Sequence, residues 1–293
     1  MKDVYFIVKD IEGKTYPSNY LLGKMVSEKL NNHGMNTKVI DSIQGLKDSI
    51  LIFNGSLIKE YDLNKHTLEM LKGRNNKLVL NPCDYFIWMT YEELELYPYM
   101  DAFIFPNTQY KNMIKGLTDD QIISVIPHHY DHRFDGVKVE KRKDFCVGYF
   151  GVPYKDKYFI PDTSPDWLIY NIDLRIGELE YEAQKFHVHF SHRSPSSLDF
   201  FLKPATKLAI ASASNVAFLT SKDTSVMDFL PEDYPLFISE DLDDLNSKYE
   251  LLKSKFGTKE WKDYVGFISN LKEKFDLNYQ QKDYKLLFER LSE

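Results

Sequence analysis

The stretch that decides the fold is Lys203-Pro-Ala-Thr-Lys207-Leu-Ala-Ile-Ala-Ser-Ala-Ser-Asn-Val-Ala-Phe-Leu-Thr220. Small side chains predict a tightly packed helix over residues 203–214, and the apolar run that follows it predicts a strand. Arg193 precedes the helix, while Lys203 and Lys207 lie one turn apart at its start. Helix N-terminal amides and fixed cations both favour anions. The stretch therefore predicts a diphosphate site, typical of transfer from a nucleotide-activated donor.

Working outward, short apolar segments alternate with amphipathic ones along the whole chain. This alternation is typical of a parallel sheet wrapped by helices, the doubly wound α/β arrangement. A helix predicted over residues 19–32 ends at His33-Gly34, where glycine can adopt a left-handed conformation. Predicted strands include Val4–Val8, Ile50–Phe53, Lys77–Leu80, Ala102–Phe105, Phe145–Phe150, Phe186–Phe190 and Val216–Leu219.

A polar, charged stretch from Asp131 to Lys143 separates two such patterns. We interpret it as a linker between a first domain, residues 1–135, and a second domain, residues 143–293. From Leu242 onward the pattern is mainly helical, with Trp261, Phe267, Leu271 and Phe275 at helical spacing. We expect a C-terminal helix to pack back on the body of the protein.

Composition limits the class of protein. The chain has 293 residues, a formal net charge of −7 and 43% hydrophobic residues. The negative balance argues against a nucleic-acid partner. No apolar run is long enough for a membrane span, and the first residues lack a secretory signal. Two distant cysteines give no disulfide framework or metal-ligand spacing. These features predict a cytoplasmic protein.

The 203–220 stretch resembles the donor motif of the GT-B glycosyltransferases, and two shorter segments resemble that family more weakly. They are Ser124-Val-Ile-Pro127, similar to the end of an acceptor domain, and Val147-Gly-Tyr-Phe-Gly151, similar to the strand and glycine loop that open a donor domain. The resemblance implies two Rossmann-like domains, acceptor side first and nucleotide-sugar donor side second. It also implies a transferase that moves a sugar from a nucleoside diphosphate to a hydroxyl acceptor. We expect this reaction to need no cofactor and no metal ion, because fixed cations take the place of a metal.

Within that resemblance, the donor diphosphate is expected to contact Gly151, Arg193, Lys203 and Lys207. Many retaining members carry two glutamates eight positions apart, one of which holds the donor ribose. The matching positions here are Leu202 and Ile210, which cannot accept a hydrogen bond. A non-catalytic relative that binds a nucleotide or a glycan is therefore the alternative. The usual glycine and proline of the helix-to-strand turn are replaced by Asn215 and Ala217, and asparagine tolerates the left-handed conformation.

On the acceptor side, Asp84 follows a buried-looking strand and is the candidate that orients or deprotonates the acceptor. A turn or helix-capping role explains the same aspartate. Tyr16, Ser18 and His128 are the other candidates for acceptor contacts, and a glycan or a lipid-linked compound would be a suitable acceptor.

Histidines support a third hypothesis, a metal-dependent hydrolase. One cluster is His128-His129-Tyr-Asp131-His132, and the other comprises His187, His189 and His192. Together these side chains could bind zinc. The zinc-hydrolase pattern that the first cluster approaches would begin at Pro127, so it is incomplete. A linker and a strand flanked by basic residues explain the histidines more simply, and we predict no metal site.

Overall fold

The computed structural model describes residues 2–9, 19–83, 91–113, 117–150, 167–170 and 179–293. The chain divides into two compact units. The first unit comprises Met1–Pro127, Leu202–Pro204 and Leu277–Glu293, and the second comprises His128–Phe201 and Ala205–Asp276. Each unit is built around its own parallel β-sheet.

The first sheet has six parallel strands in the order β2-β1-β3-β4-β5-β6. All six residues of the central strand β3 are buried, because helices cover both faces of such a sheet. The strands are β1 (Asp3–Ile7), β2 (Thr37–Ile40), β3 (Ser49–Asn54), β4 (Lys77–Asn81), β5 (Ala102–Phe105) and β6 (Ile122–Val125).

Helices of the first unit alternate with these strands, as the pattern predicts. Gly34 has a φ of +78°, so the expected left-handed glycine after the first helix is confirmed. The Asn64 side chain accepts a hydrogen bond from Thr67 N and caps the second helix. The elements are a π-helical turn (Tyr20–Met25), α1 (Val26–Asn32), α2 (Lys65–Gly73), α3 (Tyr91–Leu94), a 3₁₀ helix (Tyr97–Tyr99) and α4 (Thr108–Met113).

The C-terminal helix, α11 (Leu277–Ser292), returns to the first unit. It packs against α1 and β6. Its apolar stripe lies in the core that covers one face of the first sheet, which confirms the predicted helix that packs back. The buried residues of the stripe are Leu277, Tyr284, Leu287, Phe288 and Leu291.

The second sheet has five parallel strands in the order β11-β10-β9-β7-β8. The strands are β7 (Val147–Phe150), β8 (Trp167–Tyr170), β9 (Val188–Ser191), β10 (Ala217–Ser221) and β11 (Phe237–Ile238). Two parallel sheets with interleaved helices give the α/β class and the two Rossmann-like domains that the sequence predicts.

Around the second sheet, one helix is buried along almost its whole length. This is α7, in which every residue from Leu208 to Ser214 is buried, as its small side chains predict. The helices of this unit are α5 (Leu179–Glu182), α6 (Leu198–Leu202), α7 (Thr206–Ser214), α8 (Thr224–Met227), α9 (Leu242–Lys255) and α10 (Lys259–Ser269), with 3₁₀ helices at His132–Gly136, Ala183–Lys185 and Lys272–Phe275. In the described part of the chain, no helix has both the length and the apolarity that a membrane span requires.

Two predicted boundaries differ from the structure. Helix α7 begins at Thr206 rather than at residue 203, because a proline at 204 disfavours helical geometry in the residue before it. The second unit begins at His128, and Tyr130 and Phe134 belong to its core. The polar stretch 131–143 is thus partly folded onto the second unit, because two aromatic side chains in and beside it are buried.

Neighbouring leucines of α11 provide a test of its packing. Leu287 is 1% exposed and Leu286 is 57% exposed. We expect Leu287→Ala to lower the free energy of unfolding by about 2 to 5 kcal/mol, because it removes core contacts and leaves a cavity. The matched Leu286→Ala should stay within about 0.5 kcal/mol of the wild type. Urea denaturation measures both, and equal losses would contradict this packing.

Candidate functional site

A buried ion pair lies at the carboxyl edge of the second sheet, where open α/β sheets bind their ligands. Arg193 follows β9 and Asp223 follows β10, so two neighbouring parallel strands deliver them to the same edge. Arg193 Nη1 is 3.2 Å from Asp223 Oδ1. Arg193 is 5% exposed and Asp223 is 0% exposed. Because both groups are shielded from water, each charge is stabilised by the other rather than by hydration.

Asp223 is also the N-cap of α8. Its Oδ1 accepts hydrogen bonds from Ser225 N (3.1 Å), Val226 N (3.2 Å) and Ser225 Oγ (2.6 Å). Arg193 Nη1 donates to Ser225 Oγ (3.0 Å), and Arg193 N donates to Ser221 Oγ (2.9 Å). The loops after β9 and β10 are therefore cross-linked through side chains, which fixes their positions relative to each other.

The segment after β10 also contacts the C-terminal end of α6. Thr224 Oγ1 donates to the carbonyl oxygens of Phe200 (3.1 Å) and Phe201 (2.8 Å). These carbonyls belong to the last turn of the helix, whose C-terminal oxygens lack partners within the helix itself. The consecutive residues Asp223, Thr224 and Ser225 thereby connect α6, α8 and Arg193.

The ammonium group of Lys207 lies over an aromatic ring. Its Nζ is 4.2 Å from the ring centroid of Tyr149, within the range of a cation–π interaction. Tyr149 is on β7 and is buried. Burial raises the pKa of its hydroxyl to about 12, with Arg193 opposing and Asp199 adding to the increase. The phenol is neutral at pH 7, and the arginine and the lysine both lie near it.

The start of α7 has no capping side chain of its own. Its N-cap residue, Ala205, provides no side-chain hydrogen bond, and the first turn contains no acidic residue. Thr206 Oγ1 lies 3.4 Å from His128 Nδ1. Amide groups at a helix start carry partial positive charge, and Lys207 adds a full one. This arrangement suits a phosphate oxygen at the start of α7.

The chain resembles known proteins in its architecture rather than in its sequence. No family model and no curated protein sequence matches the chain. Solved structures do match: sucrose-phosphate synthase from Thermosynechococcus elongatus has a TM-score of 0.64 at 9% identity, covering 99% of each chain. HepE from Anabaena in complex with UDP-glucose has a TM-score of 0.62 at 9% identity, covering 99% of this chain and 100% of that one.

The chain has a GT-B glycosyltransferase fold. A further match, to the GtfA/B complex, has a TM-score of 0.53 at 11% identity and covers 92% of this chain. The chain spans only 60% of the length of that GtfA/B chain. At these identities the likeness establishes the GT-B fold, and it leaves the reaction to be argued from the residues.

The structure brings together two of the predicted donor residues of the GT-B fold, Arg193 and Lys207, through Tyr149. Lys203 lies in the bend between α6 and α7, so it does not share a helix face with Lys207 as expected. His128 lies beside Thr206 within the second unit. Four other predicted site residues lie outside the described residues: Tyr16, Ser18, Asp84 and Gly151.

Two positions where the sequence departs from the GT-B motif are apolar and buried in the structure. Leu202 is 6% exposed and Ile210 is 8% exposed. Neither side chain can hold a ribose hydroxyl by a hydrogen bond. Asn215 has φ 53° and ψ 60°, so the left-handed turn after α7 persists without glycine, as predicted.

Sequence reasoning missed Tyr149, Asp223 and Ser225. A signal for two of them exists, because Asp223-Thr-Ser225 follows an apolar strand and has the composition of a helix N-cap. No such sequence signal exists for Tyr149, because it lies in an apolar strand and resembles any other residue of a buried strand. Its position beneath Lys207 depends on where β7 lies in the second sheet, next to β9.

The histidines of the second unit make separate structural contacts. His189 Nε2 donates to Ala183 O (2.8 Å), and Cys146 N donates to His187 Nδ1 (3.3 Å). His129 Nδ1 donates to Tyr130 O (2.7 Å). Across the described ranges, no group of three or more histidine, cysteine, aspartate or glutamate side chains is placed to hold a metal ion.

Removing Asp223 tests the buried ion pair. We expect Asp223→Ala to cost about 3 to 5 kcal/mol of unfolding free energy, because it leaves the Arg193 charge buried without its partner. Glu232→Ala is the control, since it breaks the exposed pair between Lys222 and Glu232. That pair should contribute less than about 1 kcal/mol. Chemical denaturation compares the two variants, and an Asp223→Ala loss no larger than the control would contradict a buried pair.

Acid sensitivity tests the burial of His189. Burial, partly opposed by the hydrogen bond to the Ala183 carbonyl and assisted by the positive charge of Lys141, lowers the pKa of His189 from 6.5 to about 3. The unfolded chain binds a proton near pH 6.5 and the folded chain does not, so stability is present above pH 6.5 and is lost as the pH falls toward 3.

We expect the melting temperature of His189→Gln to fall less than that of the wild type between pH 6.5 and 4.5. His66→Gln, at an exposed position on α2, is the control and should follow the wild-type curve. Parallel curves for all three proteins would show that His189 titrates normally.

Proposed function

We propose that the protein is a glycosyltransferase that moves a sugar from a nucleoside diphosphate to a hydroxyl acceptor. The observation that carries this proposal is the cationic site at the carboxyl edge of the second sheet of a GT-B fold, where Lys207 lies at an uncapped helix start. Two structural neighbours, HepE and an α-glucosyltransferase, were solved with UDP-glucose, so UDP is the first nucleotide to test.

In this proposal Lys207 is the main diphosphate contact. Its ammonium group would neutralise the charge that develops as the diphosphate leaves, and the first amides of α7 would receive a phosphate oxygen. Arg193 has a supporting role, because its Nη1 is engaged by Asp223 and Ser225. Its remaining positive charge contributes to the local field, while Lys203 and Gly151 are proposed as secondary contacts.

The proposed reaction requires no metal ion, because Lys207, Arg193 and the α7 dipole provide the positive charge that a metal would otherwise supply. Activity that persists in EDTA would agree with this part of the proposal. On the acceptor side, Asp84 is proposed as the group that orients or deprotonates the hydroxyl. Tyr16, Ser18 and His128 are proposed acceptor contacts.

A non-catalytic nucleotide- or glycan-binding protein is the second candidate. It is favoured by the buried, apolar Leu202 and Ile210 at positions where many GT-B enzymes have glutamates. Both candidates predict nucleotide binding, and they differ in turnover. Release of UDP from a bound UDP-sugar, in the presence of acceptors, selects the enzyme; tight binding without any release selects the binding protein.

Thermal unfolding with UDP tests the diphosphate site. Ligand at about 100 times its Kd should stabilise the wild type by roughly 2.7 kcal/mol, which raises the melting temperature by several degrees. We expect Lys207→Ala to remove most of this increase, because it deletes the cation at the start of α7. The measurement is differential scanning fluorimetry at several UDP concentrations.

Lys255→Ala is the matched control, since Lys255 lies on α9 and pairs with Glu260. It should keep the full UDP shift. A wild-type protein that no nucleoside diphosphate stabilises would overturn the proposed function, and an unchanged shift in Lys207→Ala would remove Lys207 from the site.

A further inference from the structure

A buried amide without a partner lies at the carboxyl edge of the first sheet. It belongs to Asn54, the last residue of β3, which is 1% exposed. Within the described part of the chain, neither Asn54 Oδ1 nor Asn54 Nδ2 has a hydrogen-bond partner. An unpaired buried amide lowers stability, so such a group indicates that something other than folding maintains it.

Asn54 lies at the topological switch point of the first sheet. The chain places β2 on one side of β1 and β3 on the other, so the connections leave β1 and β3 in opposite directions. Ligands of open α/β sheets bind in the crevice at this point. The Tyr61 hydroxyl lies between the two strand ends, 2.8 Å from Ile7 O and 2.9 Å from Asn54 O.

A second buried asparagine accompanies the first. Asn19 precedes the π-helical turn Tyr20–Met25 and is 1% exposed, and its Oδ1 has no partner among the described residues. Gly23, one turn further on, packs so closely that an added Cβ would be 2.6 Å from Val8 Cγ1 and 3.6 Å from Asn54 Nδ2. Asn19 lies one turn before Gly23 and therefore on the same face of the helix. Turns of π-helix are rare and occur often at functional sites.

Two buried carboxylates near Asn54 disfavour an anionic ligand. Among the described residues of the first unit, no lysine or arginine is buried. Two buried carboxylates lie close by instead. Glu93 accepts hydrogen bonds from Ser56 Oγ (2.6 Å) and Leu57 N (2.6 Å). An added Cβ at Gly55 would collide with the carboxylate of Glu60. A phosphate or carboxylate would be repelled here.

A hydroxyl group fits the amides, since it donates to Oδ1 and accepts from Nδ2. We propose that Asn54, together with Asn19 on the helix face that carries Gly23, binds the hydroxyl groups of an uncharged polyhydroxyl compound, a sugar or a polyol. The identification of this compound as the acceptor rests on the proposed glycosyltransferase function. The first unit would then select a neutral acceptor, and a phosphorylated one would be rejected by Glu60 and Glu93.

Thermal unfolding of the full chain tests this site. The probes are glucose, maltose and myo-inositol, with glucose 6-phosphate as the charged counterpart. We expect at least one neutral probe to raise the melting temperature of the wild type and glucose 6-phosphate to leave it unchanged. Asn54→Leu should abolish the increase. Without ligand, it should raise the melting temperature by about 2 to 4 °C, because an apolar group of similar size replaces an unpaired amide.

Asn76→Leu is the matched control. Asn76 is also buried in the first unit, but its Oδ1 accepts from Ser49 N and its Nδ2 donates to the carbonyl oxygens of Leu46 and Leu71. This variant should lower the melting temperature and keep the response to neutral probes. If Asn54→Leu lowers the melting temperature in the same way, the amide has a structural partner such as a buried water, and the inference is overturned.

Two further outcomes also overturn it: no response of the wild type to any neutral probe, or a response to glucose 6-phosphate alone. UDP separates these failures from failure of the proposed function, because its site is in the second unit. A UDP shift without a sugar response removes the neutral-acceptor site alone. Absence of a UDP shift removes the proposed function, and a sugar response would still establish the Asn54 site.

Discussion

The parallel direction of the strands is the constraint on which the rest of this structure depends. Parallel strands need crossovers, and the crossovers cover both faces of each sheet with helices. They also place every strand's carboxyl end at one edge. Buried polar groups occur there: Asn54 at the edge of the first sheet, and Arg193 with Asp223 at the edge of the second.

The two edges have opposite chemistry. In the second unit, Lys207 lies over Tyr149 near Arg193, so the edge presents positive charge beside a helix start. In the first unit, the edge combines neutral amides with the buried carboxylates of Glu60 and Glu93. The proposed diphosphate would match the charge of the second edge, and the proposed uncharged hydroxyl compound would match the first.

The pair of Arg193 and Asp223 shows how the loops at one edge are fixed in position. Desolvation of two charges is costly, and an apolar replacement of similar shape is often no less stable. The pair also fixes the start of α8 and the loop after β9, and the adjacent Thr224 fixes the end of α6. Its value therefore lies in position as well as stability, since a preorganised site loses less entropy when a ligand binds.

The sequence alone determined the fold class and the alternation of strands and helices, because these follow from local periodicity. The composition of residues 203–220 is also the basis of the proposed anion site. The sequence also determined the left-handed turn at Asn215, since few residues tolerate that conformation. Tertiary structure decided what is non-local: the ring of Tyr149 beneath Lys207, the partner of Arg193 and the unpaired amide of Asn54. Each depends on which strands become neighbours. The order of the strands in a sheet cannot be predicted from the hydrophobic periodicity of a single segment.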